Sequence, residues 1–238
     1  FVNGSPIIDY IRMVKDEKEK DLMRNASNIN DMAMEKLQNL LTQDLTEKEM
    51  AQRLASIYEE LGADGFSFPP IIAYGANGAD PHAHCGSAKL KEGDCVILDI
   101  GCIKDNYCSD MTRTIFVGEP TEEMKKVYDL VLSNQEFALD QYKEGASTRQ
   151  VTKMVENDFK LNGYDLIHSL GHGVGLEIHE PPYVGYRNDT TLRENMVVTD
   201  EPGIYIPGKF GIRIEDTIQI TKFGCVSLTT SEKNYVII

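Results

Sequence analysis

Four carboxylates in this 238-residue chain fall into two matched pairs. Asp99 sits in Val96-Ile97-Leu98-Asp99-Ile100, an apolar, β-branched run. Aspartate is depleted in strands, and a buried carboxylate without compensation is costly. Asp110 lies in Ser109-Asp110-Met111-Thr112-Arg113-Thr114, and the point midway between the two acids falls in the turn signal Lys104-Asp105-Asn106. The spacing therefore predicts a hairpin with Asp99 and Asp110 nearly opposite each other. Like charges facing across strands are destabilising, and a bound cation removes that objection. The alternative is that Arg113 or Lys104 neutralises one of them. Glu201, in Asp200-Glu201-Pro202-Gly203, and Glu215, in Gly211-Ile212-Arg213-Ile214-Glu215-Asp216, repeat the arrangement about Gly208 in Pro207-Gly208-Lys209. For Glu215 the competing reading is an ion pair with Arg213, which shares its strand face.

Three of the five histidines crowd into residues 168–179. They are His168, His172 and His179, within Ile167-His168-Ser169-Leu170-Gly171-His172-Gly173-Val174-Gly175 and Ile178-His179-Glu180-Pro181-Pro182. The glycines are expected to let the backbone approach a ligand closely. Spacing alone does not say which histidine is a ligand and which is a satisfied core residue. The other two occur as His82-Ala83-His84, in a stretch expected to be a loop before the first hairpin.

The elements that must position these residues are readable as patterns. Residues 1–14 read as a loop or short extended piece. From Lys15 onward Leu22, Ala26, Ile29, Ala33, Leu37 and Leu40 make one helical face. Thr46 with Glu49 is a capping box opening a second helix that Gly62 ends. The stretches around Pro69-Pro70 and from Gly75 to Pro81 read as loop, and 94–103 and 107–117 as the two strands of the hairpin. Pro120-Thr121 opens a third helix closed by Gly145. Ser147 with Gln150 caps a fourth, running to about Gly163. Strands are expected in 166–179, 195–206, 210–220 and 225–237. The order gives two halves alike in layout and an α+β domain, with helices on one face of an antiparallel sheet.

Composition narrows the function. With 24 Lys and Arg against 38 Asp and Glu, the net charge is −14, which repels phosphate backbones and argues against nucleic acid as a partner. It suits a cation or a substrate with a positive amine. No apolar run approaches the roughly 20 residues of a membrane span. The five cysteines are odd in number and none are spaced C-x-x-C, which disfavours a disulfide framework and predicts a reducing, cytoplasmic setting. The opening Phe1-Val2-Asn3-Gly4 lacks the charged and apolar regions of a signal peptide, and the missing initiator Met is expected to mark a cut within a longer chain.

Five segments in order, Leu98-Asp99-Ile100-Gly101, Ser109 to Thr114, Gly171-His172-Gly173-Val174-Gly175, Asp200-Glu201-Pro202-Gly203-Ile204-Tyr205 and Gly211 to Asp216, resemble the catalytic domain of Xaa-Pro peptidases. These are prolidase and aminopeptidase P, relatives of methionine aminopeptidase and creatinase. The resemblance spans roughly residues 6 to 238 and implies the pseudo-twofold pita-bread fold. It implies two divalent metal ions, with Asp99 a terminal ligand to one, Asp110 and Glu215 bridging both, and His172 and Glu201 completing the second. That oxygen-rich set suits Mn²⁺ first, with Co²⁺ or Zn²⁺ as alternatives. It implies hydrolysis of the Xaa-Pro bond in a peptide substrate, with Glu201 shuttling a proton to the leaving nitrogen and His82 and His179 contacting substrate. Arg213 and His168 would lie close by, near the substrate. Family members usually carry an N-terminal domain that helps build a homodimer. Residues 1–14 are thus expected to be an inter-domain joint or leading segment, and 15–238 the catalytic domain. The competing readings are a methionine aminopeptidase-like enzyme, a non-catalytic binding protein on the same fold, and creatinase-like hydrolysis of a small amidine.

Overall fold

The computed structural model describes residues 5–187 and 189–238. In chain order the helices are α1 (Ser5–Met13), α2 (Glu17–Leu40), α3 (Glu47–Leu61), α4 (Glu122–Gln141) and α5 (Thr148–Leu161). The strands are β1 (Gly65–Phe66), β2 (Ile71–Tyr74), β3 (Cys95–Ile100), β4 (Cys102–Lys104), β5 (Tyr107–Cys108), β6 (Met111–Phe116), β7 (Gly171–Gly173), β8 (Glu180–Val184), β9 (Val197–Asp200), β10 (Gly203–Ile206), β11 (Phe210–Arg213), β12 (Asp216–Ile220) and β13 (Cys225–Ser227). All the named strand pairs are antiparallel. The fold is α+β with two halves alike in layout, as expected for a pita-bread arrangement. In the first half α2 and α3 pack on the sheet β2-β3-β6, and in the second α4 and α5 pack on β13-β12-β9-β7-β8. Each helix pair covers a large apolar cluster, Cys95 and Phe116 of the first sheet join the second cluster, and a smaller cluster from Met23 to Leu228 draws on both halves. Among the described residues, no helix is long and apolar enough to cross a membrane.

The local rules explain the helix ends. Thr46 and Glu49 form the reciprocal capping box of α3, and Gly62 closes it at φ 78° in the left-handed conformation. Asp16 and Glu19 form an equivalent box at the start of α2. The expectation of a loop for residues 1–14 is corrected over 5–13, which are helical; residues 1–4 lie outside the described residues. Ile7, Ile8 and Ile11 do carry a helical spacing in the sequence, although their side chains are exposed. Within the stretch from Gly75 to Pro81, expected as loop, residues 75–79 form a 3-10 turn (Gly75–Ala79), and β2 occupies the unassigned residues before it. The expected strand over 166–179 shrinks to Gly171–Gly173, and only Cys225–Ser227 forms a named strand within 225–237. Along that tail, Val236 and Ile238 instead bond to the backbone of Phe116 and Gly118.

The first hairpin differs from its predicted register. Its turn is Asp105-Asn106, both at positive φ, with Lys104 paired to Tyr107, the two-residue geometry that matches strand twist. The symmetry point is thus later than Lys104-Asp105-Asn106 implies, and Asp99 faces Thr112, not Asp110. Asp110 falls across from Gly101, where the ladder breaks between β3-β6 and β4-β5. A Cβ at Gly101 would lie 2.2 Å from the Ser109 carbonyl oxygen and 2.3 Å from Ser67 Oγ. Gly101→Ala should therefore lower unfolding stability by about 1–3 kcal/mol, the usual cost of overpacking. Denaturant unfolding would check this, and an unchanged midpoint would show that the break tolerates a side chain.

The second hairpin has the predicted register. Strands β10 and β11 pair symmetrically about Gly208, and β9 and β12 continue the same register with Asp200 opposite Asp216. Glu201 and Glu215 therefore face each other at the gap between those two ladders.

Candidate active site

The two ladder breaks open on a cavity of about 330 Å³. Asp99, Asp110, Glu201, Glu215, His172, His168, His179, His82 and Arg213 all line it. His84 does not line it, although it is two residues from His82. His82 and His179 are exposed, whereas Asp99, Asp110, His172, Arg213 and Glu215 are buried.

His172 is delivered by β7, flanked by Gly171 and Gly173. A Cβ on Gly171 would stand 2.0 Å from the Thr199 carbonyl oxygen, and one on Gly173 2.4 Å from the carbonyl oxygens of Glu180 and Pro181. These glycines admit neighbouring backbone, and Gly171 also lines the cavity. The His172 N–H donates to Thr199 Oγ1 at 3.0 Å. Its Nδ1 lies 3.1 Å from the Gly173 carbonyl oxygen and so carries the ring proton. That leaves the Nε2 lone pair aimed at the acids, 3.5 Å from Asp110 Oδ2 and 3.4 Å from Glu201 Oε1.

The electrostatics are those of a cation site. Asp110, His172 and Glu215 each offer a ligand atom, all within 4.8 Å of one another. Burial, and then the neighbouring Glu215, Asp99 and Glu201, push the Asp110 carboxyl well above the ordinary range. Burial, followed by Glu201 and Asp99, does the same to Glu215. Asp99 and Glu201 are raised by burial despite attraction to Arg213 and to His168 and Arg213, respectively. Burial lowers the pKa of His172, His168 and His179. Among the described residues, no Lys or Arg forms an ion pair with Asp110, Glu201 or Glu215. Asp99 Oδ1 is buried with no hydrogen-bond partner, which is expensive unless a cation meets it. The residues therefore fit divalent metal.

The neutralising pairs proposed from sequence are replaced by others. Arg213 reaches Asp99 Oδ2 on the first hairpin, not Glu215 on its own. Arg113 pairs with Asp216 at 2.7 Å, and Lys104 with Asp64 at 3.5 Å. Sequence reading also missed Thr112, Thr199 and Tyr205. Thr112 Oγ1 donates to Glu215 Oε2 at 2.6 Å and accepts from Arg213 Nε at 3.0 Å. The Tyr205 hydroxyl accepts from Arg213 Nη1 at 2.7 Å and meets His168 Nε2 at 3.0 Å. His168 Nδ1 lies 2.7 Å from the Ser169 carbonyl oxygen, so Nδ1 donates there and Nε2 accepts from Tyr205. One signal for Tyr205 was available: Gly203, two residues earlier, where a Cβ would stand 2.6 Å from the Tyr205 hydroxyl.

Comparison with known proteins agrees with this geometry. Metallopeptidase family M24 matches residues 21–222. An Xaa-Pro dipeptidase of Pyrococcus horikoshii is 40% identical over 238 residues, covering 99% of this chain and 68% of that protein. The solved X-Pro aminopeptidase from Thermotoga maritima superposes with a TM-score of 0.95 at 38% identity, covering 98% of this chain and 67% of the other. Prolidase from Pyrococcus furiosus gives 0.93 at 38%, covering 95% and 68%. The chain thus spans about two thirds of the length of these relatives. Because the match takes in both halves and every acid at the ladder breaks, the chain belongs to metallopeptidase family M24.

Proposed function

We propose that this chain hydrolyses the bond between an amino acid and a following proline, in dipeptides or at the N-terminus of peptides, using two divalent ions. The observation that carries the reading is the convergence of four carboxylates and the His172 Nε2 lone pair on one cavity. In this reading Asp99, Asp110, His172, Glu201 and Glu215 would hold the ions. The hard donor set favours Mn²⁺. When bound, such ions make water nucleophilic near neutral pH and polarise the scissile carbonyl.

The chain's own residues do the rest. Arg213 keeps Asp99 in place and is itself held by Tyr205 and Thr112. Thr199 Oγ1 donates to Glu201 Oε1 at 3.2 Å, leaving that carboxylate able to take a proton from water and deliver it to the departing proline nitrogen. His82 and His179, exposed at the cavity, donate hydrogen bonds to the substrate as charge builds on its carbonyl oxygen. His168 lines the substrate side through Tyr205. The cavity is at the small end of ligand sites, which suits a dipeptide or a peptide end. Phe68, Ile71 and Tyr183 supply apolar surface for a ring. A prolyl amide has no N–H to recognise, so selection rests on shape. In this reading residues 15–238 act as the catalytic domain, 1–14 are an inter-domain joint or leading segment, and the full-length protein is a cytoplasmic homodimer.

The test compares Ala-Pro, Ala-Pro-Pro and Met-Ala-Ser on Mn²⁺-loaded protein, in this chain and in a version extended to the relatives' length. Cleavage before proline should be faster, chelation should abolish it, and Mn²⁺ or Co²⁺ should restore it. Preference for Met-Ala-Ser would favour the methionine aminopeptidase-like reading, and full activity of a metal-free sample would refute the metal reading.

A further inference from the structure

We infer that Glu47, outside the cavity, is a positioning residue that sets where His82 stands and so governs turnover. The inference rests on the reading of His82 as a substrate contact.

Glu47 is the first residue of α3, and the capping box there belongs to Thr46 and Glu49, so its own carboxylate is left for another task. It is 0% exposed. No Lys or Arg among the described residues forms an ion pair with it. Its charge is held instead by three N–H donors from the segment 74–86 and by the positive end of α3. The Tyr74 N–H donates to Oε1 at 2.8 Å, the Asn77 side-chain amide to Oε1 at 2.8 Å, and the Gly86 N–H to Oε2 at 2.7 Å. Backbone bonds reinforce the joint: Glu47 N–H to the Ala88 carbonyl at 3.2 Å and Lys48 N–H to the Gly86 carbonyl at 3.0 Å.

One carboxylate thus ties both ends of the segment 74–86, and His82 lies near its tip. On its other side the segment is pressed against β11, where a Cβ on Gly211 would stand 1.9 Å from the Gly78 carbonyl oxygen. At the tip the His82 N–H donates to Asp80 Oδ1 at 2.9 Å, and the Ala83 N–H to the Asp80 carbonyl at 3.1 Å. Ala83 is buried while His82 is exposed. With little packing around its own ring, His82 is placed mainly by the anchorage of its loop. A buried charge with three donors is a costly joint where an apolar side chain would pack. It does something an apolar contact does not: it fixes both ends of the loop at once.

Glu47→Gln keeps the size and the Oε1 acceptor, but turns an NH₂ toward the Gly86 N–H and releases that end. The experiment measures kcat and KM on Ala-Pro for the Mn²⁺-loaded parent, Glu47→Gln, His82→Ala and the double variant, with metal content of each. The expected result is a kcat loss of roughly 10²-fold for Glu47→Gln, the scale of a reacting group misplaced by about 1 Å. KM and metal content should stay unchanged, and the double variant should be no slower than His82→Ala. Asn77→Ala, which removes the more exposed strand of the tie, should show a smaller loss with the same non-additivity, and it carries the cycle if Glu47→Gln does not fold. Losses that multiply in the double variants would overturn the inference, because Glu47 would then act on something other than His82. Near-parental turnover of Glu47→Gln beside a damaging His82→Ala would overturn it too. A mild His82→Ala would remove the functional reading of His82 itself, and the inference with it.

Discussion

Glu215→Gln should lower turnover on Ala-Pro by roughly 10³-fold or more, the equivalent of several kcal/mol of lost charge stabilisation. Glu215 enters the cavity from the second half of the fold while Asp110 enters from the first, and the Glu215 N–H bonds to the Thr112 carbonyl at 3.1 Å, linking the two hairpins at that point. Glutamine can still accept the Thr112 hydroxyl, so the change removes charge with little change of shape. Arg213→Lys should cost less, because Asp99 keeps a cation. Equal losses would mean that Glu215 has no special place. The same substitution should have the opposite effect on the metal-free protein. Burial and the neighbouring acids raise the folded pKa of Glu215. The folded state therefore binds protons more tightly than the unfolded one. Stability is fully present below the unfolded value of about 4.3 and is lost as the pH rises toward the folded one. Glu215→Gln removes that loss, so its Tm gain over the parent should be near zero at pH 4 and grow toward pH 8. Calorimetry on chelated samples would show it, and a gain that shrinks with rising pH would sink the electrostatic account.

His82→Ala and His179→Ala should each lower kcat by about 10²–10³, the usual effect of losing one donor to a developing oxyanion. Interactions made mainly in the transition state leave KM little changed. Both rings face the cavity and both are exposed, yet neither is needed to hold an ion under the proposed ligand set. His179 packs edge-on against His172, with ring centroids 4.3 Å apart, so its variant is the more informative. If His179→Ala loses a metal ion, His179 is a ligand and the five-residue set is incomplete. His84→Ala is the control, since that side chain does not line the cavity. A damaging His84→Ala with a mild His82→Ala would mean that the wrong histidine of the loop has been assigned.

The sequence by itself determined what short-range physics controls. The capping box at Thr46 and Glu49 and the left-handed end at Gly62 follow from two or three residues each, and both are present. A turn at Gly208 was enough to set the register that brings Glu201 opposite Glu215. Within the single turn signal Lys104-Asp105-Asn106, the exact centre depended on which residues accept positive φ, and the register came out later than expected. Only the tertiary structure decided the partners. Arg213 could reach Glu215 on its own strand or Asp99 across the site, and packing of the two halves chose Asp99. Arg113, which could have quenched Asp99 or Asp110, was drawn to Asp216 and left Asp110 without a Lys or Arg partner among the described residues. The tie from Glu47 to the His82 loop joins positions far apart in the chain, with no spacing rule to announce it. Caps and turns are decided by neighbours along the backbone, whereas a charge takes its partner from whatever the fold brings within a few ångströms.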